Sequence, residues 1–209
     1  SAGQASFELE VPLAKPWTPS SPILHTLRIA LADGSDDMEV RFGLRHLAAV
    51  DGKILLNGEP VKLLGFNRHE SHPQFGPARP HAQLHADVQL LRELGCNFVR
   101  GCHYPQDQRF LDLCDERGIL VWEESLGWQN TEAQFKSPAF RSAHLGMLEA
   151  MVNASFNHPC VVLWGFLNEG PSHREWTRPV YEESAALLRR LDPSRLVTFA
   201  SNHPMDDRH

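Results

Sequence analysis

Five short polar clusters in this 209-residue chain each follow an apolar stretch, and together they hold most of its reactive side chains. They are Asn67-Arg68-His69-Glu70-Ser71-His72, Arg100-Gly101-Cys102-His103-Tyr104-Pro105, Glu123-Glu124, Asn168-Glu169 and Ser201-Asn202-His203. Glu169 follows a nearly wholly apolar run. A carboxyl there, partly withdrawn from water, is suited to hold a proton near neutrality and deliver it to a leaving-group oxygen. The alternative is a solvated acid opening the loop Gly170-Pro171-Ser172. Asn168 offers an amide donor and acceptor for a substrate hydroxyl, or serves only as a turn residue. Arg100 is costly inside a fold unless a carboxylate or substrate meets it, or unless it reaches the rim. His69, His72 and His103 are substrate partners, metal ligands or loop residues. Their spacing fits no metal motif such as HExxH, so no metal is expected. Trp122, Trp128, Trp164 and Trp176 lie on or near the same loops, with core packing the safer reading for Trp164.

These clusters need elements to position them. Leu84, Val88, Leu91 and Leu94 recur at helical spacing and stop at Gly95. Phe110, Leu113 and Cys114 mark a second helix ending at Gly118. Ser137-Pro138 opens a third, with Phe140, Met147 and Met151, and Pro179 opens a fourth. Strands are expected at Val61–Phe66, Asn97–Arg100, Ile119–Trp122, Val161–Leu167 and Leu196–Ala200. Five strands joined by four helices imply a parallel sheet, doubly wound or closed into a barrel. Polar residues after every strand, with no glycine-rich phosphate loop, fit the C-terminal mouth of a (β/α)8 barrel. Before this region, Leu27, Ile29 and Leu31 alternate up to Asp33-Gly34, and Met38, Val40 and Phe42 return. That pattern is a hairpin with one buried face, expected to be the tail of a larger β domain. Asp51-Gly52 and Asn57-Gly58 mark a small ribbon.

Composition sets outer limits. A 42% hydrophobic and 22% charged chain has the makings of a core. A net charge of -6 argues against nucleic acid as the main partner. No apolar run approaches the ~20 residues of a membrane helix. Cys96, Cys102, Cys114 and Cys160 show no paired spacing and are expected as reduced core thiols, which favours a cytoplasmic setting. Ser1–Lys15 has no signal-peptide pattern, and Asn153-Ala154-Ser155 is a sequon inside an expected helix. The ends, Ser-Ala-Gly and Asp-Asp-Arg-His, look cut.

The residues also carry a resemblance. Phe42-Gly43-Leu44-Arg45, Ile54-Leu55-Leu56-Asn57-Gly58-Glu59-Pro60 and Gly65-Phe66-Asn67-Arg68-His69-Glu70 are similar to stretches of glycoside hydrolase family 2. Val99-Arg100-Gly101-Cys102-His103-Tyr104-Pro105, Leu113-Cys114-Asp115-Glu116-Arg117-Gly118 and Trp164-Gly165-Phe166-Leu167-Asn168-Glu169 continue the likeness in order. That family holds β-galactosidases, β-glucuronidases and β-mannosidases. The resemblance implies the last strands of an immunoglobulin-like β-sandwich over residues 1–48 and the first five units of a TIM barrel over 49–209. It implies a retaining, exo-acting β-glycosidase with Glu169 as acid/base and Asn168 on the sugar 2-hydroxyl. Arg100 would support the nucleophile, and His69 and His103 would contact the terminal sugar. In the galactosidase branch a carboxylate and a histidine after the third strand bind magnesium. Trp128 and Asn130 stand there in this chain, so no cofactor is expected. The family's nucleophile is a glutamate after the seventh strand. Asp206 and Asp207 lie in the wrong unit to replace it, so it is expected beyond this chain. The expected partners are a carbohydrate and, for the parent protein, further copies of itself. The other reading is a catalytically silent fragment that binds sugar weakly.

Overall fold

The fold is described here from a computed structural model that covers residue 6 and residues 8–203; Asp206 and Asp207 lie outside them. β1 (His25–Ala30) and β2 (Asp37–Phe42) form the antiparallel hairpin, with Leu27 opposite Val40 and Ile29 opposite Met38. The expected burial of its apolar face is only partly met. Ile29, Leu31 and Met38 are exposed, while Leu27, Val40 and Phe42 are half-buried. β3 (Leu47–Val50), β4 (Lys53–Leu56) and β5 (Glu59–Pro60) make the small ribbon. Its two turns take positive φ at Asp51 (49°), Gly52 (71°), Asn57 (54°) and Gly58 (87°), as two-residue hairpin turns of the primed type require.

The remaining strands form one parallel sheet: β6 (Gly65–Arg68), β7 (Phe98–Gly101), β8 (Leu120–Glu124), β9 (Val161–Gly165) and β10 (Leu196–Thr198). They lie side by side in chain order. A doubly wound sheet would reverse that order at a switch point, so the succession is that of a barrel. The crossovers are α1 (His81–Glu93), α2 (Gln108–Arg117), the single turn α3 (Glu132–Phe135) with α4 (Pro138–Ser155), and α5 (Arg178–Leu191). Asp107 caps α2 by accepting the Arg109 amide at 2.9 Å, and Gly118 ends it in the left-handed conformation. Ser137 caps α4 ahead of Pro138.

Several boundaries differ from the sequence expectation. β6 starts later than Val61 and carries Asn67 and Arg68 within the strand. Arg68 is buried there by long-range partners that no local pattern reveals. β9 ends at Gly165, and Leu94 lies past α1 and is exposed. On α4 the buried face runs through His144, Leu148, Met151, Val152 and Ser155, so Phe140 and Met147 are only half-buried. His144 is tolerated inside because its Nε2 meets the Ser184 hydroxyl at 2.9 Å. The sequon lies on α4 with Ser155 buried. All four cysteines are free thiols, three of them buried.

Core packing joins the helices to the sheet through Phe110, Leu111, Leu148, Met151 and Leu188. Trp164 is fully buried, as expected, and its Nε1 donates to Asp192 at 2.8 Å. Trp17, ahead of the hairpin, is buried too, and its Nε1 donates to the Asp115 carbonyl at 2.8 Å. None of the described helices is long and apolar enough to cross a membrane.

Candidate active site

β7 and β8 build the centre of the site. Arg100 stands in register with Trp122, and Glu124 lies two residues on, hence on the same face. The guanidinium sits 4.5 Å over the Trp122 ring. Its Nε donates to Glu124 Oε2 at 3.0 Å and its Nη2 to Oε1 at 2.9 Å, a two-pronged pair around a fully buried carboxylate. Gly165 on β9 makes room for this stack, since a Cβ there would fall 1.9 Å from Trp122 Nε1.

Arg100 also gathers the neighbours. Its Nη2 donates to Asn168 Oδ1 at 2.5 Å and lies 3.3 Å from His103 Nδ1. Asn168 is almost fully buried, and its Nδ2 has no partner among the described residues. His103 Nδ1 is 3.5 Å from Glu124 Oε2. Burial holds His103 below the usual histidine range, with Arg100 adding to the effect and Glu124 opposing it. His69 meets it edge-on at 5.2 Å and lies exposed, its Nδ1 3.5 Å from the Tyr104 hydroxyl. Trp128, also exposed, stacks on His103 from the other loop at 6.3 Å.

The loops after β8, β9 and β10 are bonded into one frame that presents Glu169. Asn168 N donates to Gly127 O at 2.8 Å, Gln129 N to Asn168 O at 3.0 Å, and Glu169 N to Ala200 O at 2.8 Å. Gln129 (φ 47°), Leu167 (49°) and Glu169 (50°) all adopt the left-handed conformation. That conformation costs about 1–2 kcal/mol for each non-glycine residue. Glu169 is partly exposed, and its Oε2 accepts from Gln129 Nε2 at 3.0 Å.

Other members of the clusters go elsewhere. Arg68 pairs with Glu70 at 2.6 Å and Asp87 at 2.8 Å, with its guanidinium 3.8 Å over Phe110, so these charges brace the first loop against the helix layer. His72 stacks on Phe75 at 5.0 Å within its own loop. Glu123 turns away from Arg100 and is buried against Ser155 of α4. Glu124 and Gln129 were not singled out from sequence. The requirement that Arg100 find a carboxylate, combined with the alternation of β8, points to Glu124. No sequence pattern points to Gln129.

Among the described residues, two sets of side chains come close enough to share a metal ion. In His69–Cys102–His103 the Arg100 guanidinium beside His103 repels a cation, and burial pushes the Cys102 thiol up. In Asp115–His158–Cys160 the carboxylate is already bonded to His158 Nδ1 at 2.6 Å and the Cys160 amide at 2.9 Å. In the loop after β8, Trp128 offers no ligand atom and Gln129 directs an N–H at Glu169, while Asn130 Oδ1 is a buried oxygen with no partner among the described residues.

Residues 47–208 match the glycosyl hydrolases family 2, TIM barrel domain. The chain belongs to glycosyl hydrolase family 2. Family 2 relatives include a β-galactosidase of Thermoanaerobacter pseudethanolicus, 37% identical over 186 residues, which cover 86% of this chain and 24% of that protein. The human β-glucuronidase is 33% identical over 206 residues, covering 93% of this chain and 32% of that protein. A crystal structure of a family 2 β-galacturonidase from Eisenbergiella tayi bound to galacturonate superposes with a TM-score of 0.89 at 42% identity, over 94% of this chain and 36% of that one. The chain thus spans about a quarter to a third of the length of these relatives.

Proposed function

We propose that the whole protein is a retaining, exo-acting β-glycosidase in which Glu169 is the general acid/base. The observation that carries this is the frame at the strand ends, where Arg100, Glu124, Asn168 and His103 are bonded together directly beside Glu169. Protonated Glu169 would deliver its proton to the glycosidic oxygen as the bond to the anomeric carbon breaks. As a carboxylate it would then take a proton from the attacking water. Asn168, whose buried Nδ2 has no partner among the described residues, is read as the residue for the sugar 2-hydroxyl, and His103 with His69 suits further hydroxyls. Arg100 has Nε and Nη2 engaged, which leaves Nη1 for the nucleophile. Glu124, buried in its pair with Arg100, serves to hold that arginine rather than to attack. The nucleophile, ~5–5.5 Å from Glu169 in a retaining site, is assigned to a segment outside these 209 residues. Residues 1–48 are read as the end of an immunoglobulin-like sandwich, and 49–209 as the opening part of the barrel. The uncovered apolar face of β1 and β2 supports the first assignment.

The named relatives act on galactosides, glucuronides and galacturonides, so the test is a panel. The whole protein is incubated with aryl β-galactoside, β-glucuronide, β-galacturonide, β-mannoside and β-glucoside, with and without chelator. Turnover of one class, unaffected by chelator and lowered ~10²–10⁴-fold by Glu169→Gln, is expected. Turnover that survives Glu169→Gln overturns the assignment. The 209 residues alone are expected to turn over none of them.

A further inference from the structure

Gln129 is exposed, carries a left-handed backbone (φ 47°), and yet is fixed at both ends to the segment that bears Glu169. Its amide donates to Asn168 O at 3.0 Å, and its side-chain Nε2 donates to Glu169 Oε2 at 3.0 Å. Trp128 before it forms a parallel bridge with Asn168 and stacks on His103, so the loop is set from the β7 side as well. A strained conformation on an exposed glutamine persists only where surrounding contacts require it. Here they place a neutral donor against one oxygen of one carboxyl.

We infer that Gln129 is a positioning residue for Glu169: it holds Oε2 as an acceptor, so that Oε1 is the oxygen that carries and delivers the proton. This rests on the reading of Glu169 as acid/base. In the protonated state Oε2 is the carbonyl oxygen and accepts from Nε2. After the proton leaves Oε1, the same N–H donates to a carboxylate, which it binds more strongly. Gln129 gives up no proton in either state. It fixes the rotation of the carboxyl. Charged or titratable groups on the flanking elements include Arg100 on β7 and His103 after it, Glu123 and Glu124 ending β8, Glu132 opening α3, His173, Arg174 and Glu175 after β9, and His203 after β10. None of these is altered in the test.

The experiment measures kcat/KM against pH in the whole protein, using aryl glycosides with a poor leaving group (phenol) and a good one (2,4-dinitrophenol). Gln129→Asn keeps a residue that tolerates the left-handed backbone but falls short of Glu169. It is expected to move the basic limb up by about half to one pH unit. It should also slow the phenyl substrate several-fold more than the dinitrophenyl one. Gln129→Glu puts a second carboxyl beside the first and should move the limb further in the same direction. A basic limb and a leaving-group ratio unmoved in both variants overturn the inference. Glu169→Ala with added azide on the dinitrophenyl substrate separates the two readings. Restored turnover upholds Glu169 as acid/base, so an unmoved profile then defeats Gln129 alone. Failure of azide to restore turnover defeats both.

Discussion

Glu123 and Glu124 are consecutive, and the two-residue period of β8 sends them to opposite faces. Glu124 finds Arg100, while Glu123 enters the helix layer, where Ser155 donates to its Oε1 at 3.1 Å and its Oε2 has no partner among the described residues. Burial pushes Glu123 up to about 7, against the opposing effects of Ser155 and the more distant His158 and Arg195. A carboxyl whose folded pKa exceeds its unfolded one binds its proton more tightly when folded. Its contribution to stability is therefore complete below about pH 4 and is lost as pH rises through about 7. The interval from 4.5 to about 7 corresponds to roughly 3 kcal/mol. Urea midpoints of wild type and Glu123→Gln should accordingly converge near pH 4. By pH 8 the wild type should be the less stable by up to that amount. Parallel pH curves would mean that Glu123 titrates alike in both states. At this scale the sequence was readable where a side chain's chemistry demanded a partner. Arg100, Asn168, His103 and Glu169 do converge. Glu124 was hidden behind its neighbour, and Gln129 depends on a backbone conformation that no local pattern encodes.

Elements were legible where capping chemistry and apolar period coincide. Asp107 and Gly118 bracket α2, and Ser137-Pro138 opens α4 as their residue types require. β6 was misplaced because Arg68 looks like a loop residue, and only Glu70, Asp87 and Gln106, distant in sequence or beyond the strand, make it a buried one. Gly118 shows a second long-range dependence. Its φ is +70°, and a Cβ there would fall 2.2 Å from the Pro19 carbonyl, whereas Gly95 (φ +75°) has open space around it. Gly95→Ala is expected to lose about 1–2 kcal/mol through the left-handed backbone alone. Gly118→Ala should lose about 1–3 kcal/mol more from the clash with the N-terminal segment. Urea unfolding of both variants measures the difference. Equal losses would show that residues around Pro19 do not pack on the end of α2.

At the scale of the molecule, β6 and β10 are each paired on one side only among the described residues, and Phe66, Ile29 and Met38 are exposed. Open strand edges beside apolar surface favour association. The 209-residue chain is expected to form oligomers or aggregates in light scattering, and Ile29→Lys with Met38→Lys should raise the monomer fraction. A monodisperse monomer of the unsubstituted chain would contradict this. The barrel order of the sheet was foreshadowed by five polar strand ends in succession. For the hairpin, alternation marks the apolar face but does not report what lies against it.

Trp17 bears on how this barrel can be cut and recombined. Its amide donates to Leu44 O at 2.7 Å, its carbonyl accepts from Asn57 Nδ2 at 3.1 Å, and its indole reaches Asp115 on α2. One side chain ahead of the hairpin thus clasps the linker, the ribbon and the first half of the barrel wall. The segment recognised as the barrel begins at residue 47, thirty residues after this clasp. A transplanted barrel would therefore need to inherit residues from its upstream neighbour, which makes the unit of exchange larger than the unit of sequence similarity.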